Sequence, residues 1–155
     1  MNFKDVTSLI RAGSPYLTSL LNEHGAYATS VFKADGDAAL DELLASVAAC
    51  EKSQSRSEVM SGLRQTKQKL ALLVALYDLS AKWPLEKVTN ALTRFADAAV
   101  QAALGFLWHQ ERAKGKIKEK ANAPIGKGYV VLAMGKMGAF ELNYSSDIDL
   151  IVFYD

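Results

Sequence analysis

Tyr129-Val130-Val131-Leu132-Ala133-Met134, then Gly135-Lys136-Met137-Gly138, then Ser145-Ser146-Asp147-Ile148-Asp149-Leu150-Ile151-Val152-Phe153: the reading of this chain turns on that stretch. The first run is continuous, apolar and rich in β-formers, which predicts a strand buried on both faces. A glycine just past a strand lets backbone approach a ligand closely, and successive amides there can point at phosphate oxygens. Glycines also simply end strands, and the spacing matches neither a P-loop nor a dinucleotide fingerprint, so the turn alone decides little. A short helical connection is expected through Phe140 to Leu142, leading into a second strand.

Side chains two apart on a strand share a face. Asp147 and Asp149 are therefore expected to project together, with Ile148 and Leu150 pointing the other way into a core. Two ionised carboxylates side by side repel, and keeping both charged is costly unless a cation sits between them. Magnesium suits such a pair, being a hard ion that takes carboxylates together with substrate phosphates. The competing reading is two solvent-facing acids on an edge strand. The strand, the glycine turn and the two serines directly before the acids favour the metal reading. Together they form the layout that phosphoryl-group transfer to a hydroxyl requires.

Upstream of this stretch the chain reads as helix, so the expected class is α+β. An α-helical bundle (residues 1–113) leads through a basic linker (114–128) to the start of a strand, glycine turn and strand unit (129–155). The first helix is expected from about Asp5 towards Leu21, broken or kinked at Gly13, Ser14 and Pro15. A loop-like patch follows, ending in Ala34 to Asp37. Asp37 is read as the cap of a helix bearing the stripe Leu40, Leu43, Leu44 and Val47. The polar run Glu51 to Ser57 ends that helix. A longer one covers about Glu58 to Lys82, with Leu63, Leu70, Leu73, Val74, Tyr77 and Leu79 inward. Pro84 suits a first helical turn, so a further helix starts there, with Leu85, Val88, Leu92, Phe95, Ala99, Ala103 and Phe106 along one side. In the linker, Lys114, Lys116, Lys118, Lys120 and Lys127 face one acid, Glu119. That is a solvated loop more readily than a phosphate site.

Composition narrows the class. Lys and Arg number 18 against 17 Asp and Glu, for a net charge of +1. Such a chain gives no general reason to expect nucleic acid or an anionic membrane as partner. Cys50 is the one cysteine, which excludes an intrachain disulfide and fits a reducing compartment. No signal-peptide pattern opens the chain, and the longest apolar run, Leu70 to Tyr77, is far short of a membrane span. A cytoplasmic location is expected. His24 and His109 are read as helix-surface residues, Trp83 and Trp108 as core or interface residues, and Cys50 as a small buried residue.

The string Gly135-Lys136-Met137-Gly138-Ala139-Phe140-Glu141-Leu142-Asn143-Tyr144-Ser145-Ser146-Asp147-Ile148-Asp149-Leu150 closely resembles the nucleotidyltransferase motif of the bacterial glutamine-synthetase adenylyltransferase and adenylyl-removing family. The glycine pair and Asp-hydrophobic-Asp are common to the wider superfamily that includes DNA polymerase beta. The Glu-Leu-Asn and Ser-Ser-Asp-Ile-Asp-Leu wording is more specific. It resembles the N-terminal of the family's two transferase domains, which removes AMP from a glutamine synthetase tyrosine by phosphorolysis. The C-terminal copy adds AMP from ATP and more usually has glycine before Ser-Asp. Leu63 to Trp83, with Leu-Tyr-Asp-Leu at Leu76 to Leu79, and Pro84 to Leu107 are also similar to the helices that precede the motif.

The resemblance implies that Asp147 and Asp149 hold Mg²⁺. It implies that Gly135, Lys136, Gly138, Ser145 and Ser146 cradle nucleotide phosphates, and that Glu141 and Asn143 position the site. Asn143 could equally be only a helix C-cap, and Lys136 only an exposed turn residue. ATP, ADP and phosphate are the implied substrates or products; glutamine synthetase and a PII-type signalling protein are the implied partners. The chain departs from the family at Ala139, where a second glycine is usual. The superfamily's third carboxylate lies on a later strand, so the chain is expected to be an N-terminal piece without activity of its own. The rival readings are a nucleotidyltransferase acting on another hydroxyl and a non-catalytic interaction module.

Overall fold

The computed structural model describes residues 1–117 and 124–155; Lys118, Glu119 and Lys120 of the basic linker lie outside the described residues. The gap between Gly13 and Pro15 is a full stop and restart. Helix α1 covers Phe3–Gly13 and α2 covers Pro15–Glu23. Ser14 takes an extended conformation between them, and its hydroxyl accepts from the Leu17 amide at 3.2 Å. Proline in the first turn then costs no hydrogen bond, because that amide would be unpaired anyway.

The expected loop before Ala34 is a helix, α3, Gly25–Lys33. Its glycine, tyrosine, threonine and β-branched valine are indifferent helix formers. Burial of Ala28, Val31 and Phe32 in the common core outweighs that weak preference. The next helix, α4 (Gly36–Ala49), is capped by Asp35 and not by Asp37. The Asp35 carboxylate accepts from the amides of Asp37 and Ala38. Asp37 instead pairs with Lys87 at 2.6 Å. Leu40, Leu43 and Val47 are buried as the stripe predicts. A 3-10 turn at Cys50–Lys52 closes α4, and Cys50 is buried.

Helix α5 spans Arg56–Leu79 and α6 spans Leu85–Ala113. Ser55 caps α5 through the Glu58 amide, and the Glu58 side chain reaches back to the Gln54 amide, a reciprocal arrangement close to a capping box. Every residue from Leu70 to Tyr77 is buried, which makes the second half of α5 the axis of the bundle. The Tyr77 hydroxyl donates to the carbonyl oxygens of Val31 and Ala34, tying α5 to the end of α3. Two expected core positions are on the surface: Leu79, the last residue of α5, and Leu85, the first of α6. Neither has a neighbouring turn to cover it. Trp83 is buried against Tyr77. No helix among the described residues is long and apolar enough to cross a membrane.

Helix α5 ends in a left-handed residue that is not glycine. Ala81 has φ 57°; its amide bonds the Asp78 carbonyl, and the Lys82 amide bonds the Tyr77 carbonyl. This pair of bonds is the Schellman motif, whose left-handed position ordinarily takes glycine because a Cβ there is strained by about 1 kcal/mol. Ala81→Gly is therefore expected to stabilise the chain by roughly 0.5–1 kcal/mol, part of the gain being lost to the freer unfolded glycine. A thermal melt should rise by a few degrees; a fall would show that the alanine methyl makes contacts worth more than the strain.

Beyond α6 lie strand β1 (Tyr129–Met134), a four-residue helix α7 (Gly135–Gly138) and strand β2 (Asp149–Tyr154). The strands pair antiparallel, from Tyr129 opposite Tyr154 to Met134 opposite Asp149. The class is α+β as the sequence indicates. The expected burial of β1 on both faces does not hold: Val130 is 52% and Leu132 44% exposed. Ile148 and Leu150, expected in a core, are also exposed. The apolar pattern suits a strand covered on both sides, and a two-stranded ribbon cannot cover its own faces.

Candidate active site

The ribbon brings the glycine turn and the second acid together. Because Met134 stands opposite Asp149, Gly135 lies directly beside the first residue of β2. Gly135 has φ +54°, a conformation that strains any residue with a Cβ. A Cβ placed there would lie 3.1 Å from Oδ2 of Asp149. Glycine at 135 thus supplies both a backbone conformation and room for a carboxylate. Gly138 has a different reason. A Cβ at 138 would lie 2.5 Å from the carbonyl oxygen of Ala133, so α7 packs backbone against the end of β1.

The expected helical connection at Phe140 to Leu142 falls earlier, at Gly135–Gly138, because the close packing of Gly138 starts the turn immediately after the strand. Phe140 then occupies a left-handed position, φ 60°. Its amide bonds the Met137 carbonyl and the Glu141 amide bonds the Lys136 carbonyl, again the Schellman pattern. Ala139 has φ −85°, an ordinary conformation, so this position makes no demand for glycine. Met137 and Leu142 are the buried anchors of the segment. Lys136 and Glu141 are exposed.

Asn143 holds the loop before the acids. Its Oδ1 accepts from the Ser145 amide at 3.1 Å and from the Ser146 hydroxyl at 2.9 Å. In return the Ser146 hydroxyl accepts from the Asn143 amide at 3.1 Å. This is an Asx-type turn, not a helix cap. Ser146 is thereby engaged in shaping the loop, while Ser145 is exposed. The strand starts later than expected: Asp149 is its first residue and Asp147 lies in the irregular segment before it. Both acids are exposed. Among the described residues no group of three or more His, Cys, Asp or Glu side chains could hold a metal ion. Asp147 and Asp149 are carboxylates, the hard oxygen donors that magnesium takes together with phosphate and water.

Two residues that sequence reasoning did not single out meet here. Tyr144 donates its hydroxyl to Oδ2 of Asp78, on α5, at 3.1 Å. Although the residue as a whole is 44% exposed, desolvation of the hydroxyl first, then the negative charge of Asp78, push the Tyr144 pKa above the ordinary tyrosine value. The two histidines are paired away from this site, His24 with Gln68 and His109 with Glu51.

Comparison with known proteins places the site in context. The profile of the glutamate-ammonia ligase adenylyltransferase family matches residues 4–155. The chain is 48% identical over 152 residues to the bifunctional glutamine synthetase adenylyltransferase/adenylyl-removing enzyme of Rhodopseudomonas palustris (strain BisB5), covering 94% of this chain and 15% of that protein. It is 47% identical over 148 residues to the protein of the same name from Bradyrhizobium sp. (strain ORS 278), covering 92% and 15%. The corresponding protein of Xanthobacter autotrophicus is 45% identical over 145 residues, with 92% and 15% covered. The chain thus spans about 15% of the length of these curated relatives.

Proposed function

This chain belongs to the glutamate-ammonia ligase adenylyltransferase family, and we propose that it carries the opening part of the transferase site that removes AMP from a glutamine synthetase tyrosine. The observation that carries this reading is the seating of Asp149 beside the left-handed Gly135 at the end of β1. A turn that needs glycine for its backbone suits close approach of a nucleotide phosphate, and the carboxylate set against it suits the cation such a phosphate carries.

On this reading Asp147 and Asp149 hold a magnesium ion, which when bound offsets negative charge on the phosphates. The amides of Gly135 to Gly138, with Lys136 and Ser145, face the phosphate oxygens. Ser146 and Asn143 fix the loop that presents Asp147, and Glu141 follows the turn as a further positioning group. In the reaction an oxygen of inorganic phosphate bonds to the phosphorus of the tyrosine-linked AMP. The bond from that phosphorus to the tyrosine oxygen breaks, giving ADP and free tyrosine. The aligned groups contribute orientation and charge stabilisation, since phosphoryl transfer asks for little else from the protein. The same reading makes glutamine synthetase the partner, with a PII-type signalling protein acting on the longer protein, in the cytoplasm. ATP-dependent attachment of AMP belongs to the other transferase domain.

The test uses the full-length protein that contains this chain, mixed with adenylylated glutamine synthetase, inorganic phosphate and Mg²⁺. ADP should form, and should stop forming when phosphate is omitted or the metal is chelated. The 155-residue chain alone should produce none, because no third metal-binding acid stands near the pair among its described residues. Absence of ADP from the full-length protein, or release of AMP independent of phosphate, would contradict the proposal.

A further inference from the structure

Resting on that reading, we infer that Asp78 and Tyr144 act as a pair of positioning residues, tying the loop that carries Asp147 to the rigid axis of the helical bundle. The segment from Ala139 to Ile148 has no helix or strand. Its internal bonds, from Asn143 to Ser145 and Ser146, shape the loop but do not fix where it stands relative to the bundle. Tyr144 does this. It sits three residues before Asp147, and its hydroxyl bonds Asp78 on α5, a hydrogen bond between residues 66 apart in the chain. The anchor is firm. Asp78 directly follows the fully buried run Leu70 to Tyr77, and its own carbonyl accepts the Ala81 amide in the helix-ending motif. Tyr77, its neighbour, is held by two bonds to the end of α3. A phenol donating to a carboxylate is a directional contact, here at 3.1 Å with the tyrosine 44% exposed. The loop's position is thereby set by the helices, and a metal-binding acid displaced by about 1 Å from its productive place can slow a reaction by roughly a hundredfold.

The experiment is a double-mutant cycle in the full-length protein, measuring phosphate-dependent ADP formation from adenylylated glutamine synthetase. Tyr144→Phe removes the hydroxyl and keeps the ring; Asp78→Asn removes the charge and keeps the shape. Each single variant should lower kcat about tenfold with KM for the adenylylated protein unchanged and the melting temperature within about a degree. The double variant should be no slower than the slower single, because both substitutions break the same link. A purely structural contribution would instead lower the melting temperature, and a substrate contact would raise KM. Wild-type kcat in Tyr144→Phe, or single effects that multiply in the double, would overturn the pairing. Asp149→Asn runs alongside. Its loss of ADP formation shows that the site reading holds, so an unaffected Tyr144→Phe then counts against the link alone. Full activity in Asp149→Asn would overturn the site reading and the positioning role with it.

Discussion

Gly138→Ala is expected to disable the site while leaving the helical bundle intact. The added Cβ would sit 2.5 Å from the Ala133 carbonyl oxygen and 3.2 Å from its carbon. Both are strand backbone, so no side chain can swing aside. Either α7 lifts from β1 or the end of the strand bends. Overpacking of this kind costs roughly 1–3 kcal/mol, and here it falls on a small unit anchored by only Met137 and Leu142 among its buried residues. Moving α7 also moves Gly135 away from Asp149. Adenylyl removal by the full-length protein should fall by about a hundredfold, as misplacement of reacting groups does. Hydrogen exchange of the Tyr129–Met134 amides should quicken while that of the Leu70–Tyr77 amides is unchanged. Ala139→Gly is the contrast: residue 139 has an ordinary φ of −85°, so glycine there should leave activity within about twofold of the parent, any effect being that of an ordinary surface change. Normal exchange and normal activity in Gly138→Ala would remove close packing as the reason for that glycine.

Much of this arrangement was legible because its signals are local. The stripe Leu40, Leu43 and Val47 buries as its spacing predicts. The β-rich run Tyr129 to Met134 is a strand that ends in the glycine turn. The reading failed where the deciding partner lies elsewhere in the chain. Helix α3 forms because Ala28, Val31 and Phe32 find a core to bury against, and its own residues do not announce that. At the start of α4 the cap is Asp35, while Asp37 lies inside the first turn and pairs with Lys87, 50 residues on. The strand faces were over-read: Ile148 and Leu150 are apolar in a pattern that implies a cover, yet both are exposed here. In the candidate site, the glycine turn falls directly after β1 as the sequence reads, whereas the shared strand face expected for Asp147 and Asp149 is not formed, because β2 begins at Asp149. Asp78 and Tyr144 could not be paired from the sequence, since no periodicity links a helix end to a loop 66 residues away. The left-handed Phe140 was equally hidden, because phenylalanine carries no turn signal.

Asp147→Asn and Asp149→Asn in the full-length protein are expected to have the largest effect of all on activity. Each substitution keeps the size of the side chain and removes one of the two negative oxygen donors. Without metal the pair loses little to repulsion, contrary to the cost expected from the sequence, because both residues are exposed and repulsion across water is weak. Folding should therefore be nearly indifferent to the change, while chemistry that depends on a metal held against phosphate should not be. Loss of one group that stabilises developing charge in a transition state costs about a hundredfold to a thousandfold. The measurement that meets the central claim most directly is a paired assay of Asp149→Asn. One arm follows phosphate-dependent ADP formation from adenylylated glutamine synthetase; the other follows ATP-dependent attachment of AMP to the unmodified protein. The account predicts that the first falls at least a hundredfold while the second stays within about twofold of the parent. Loss of attachment with removal preserved, or full removal in Asp149→Asn, would contradict the assignment of this site.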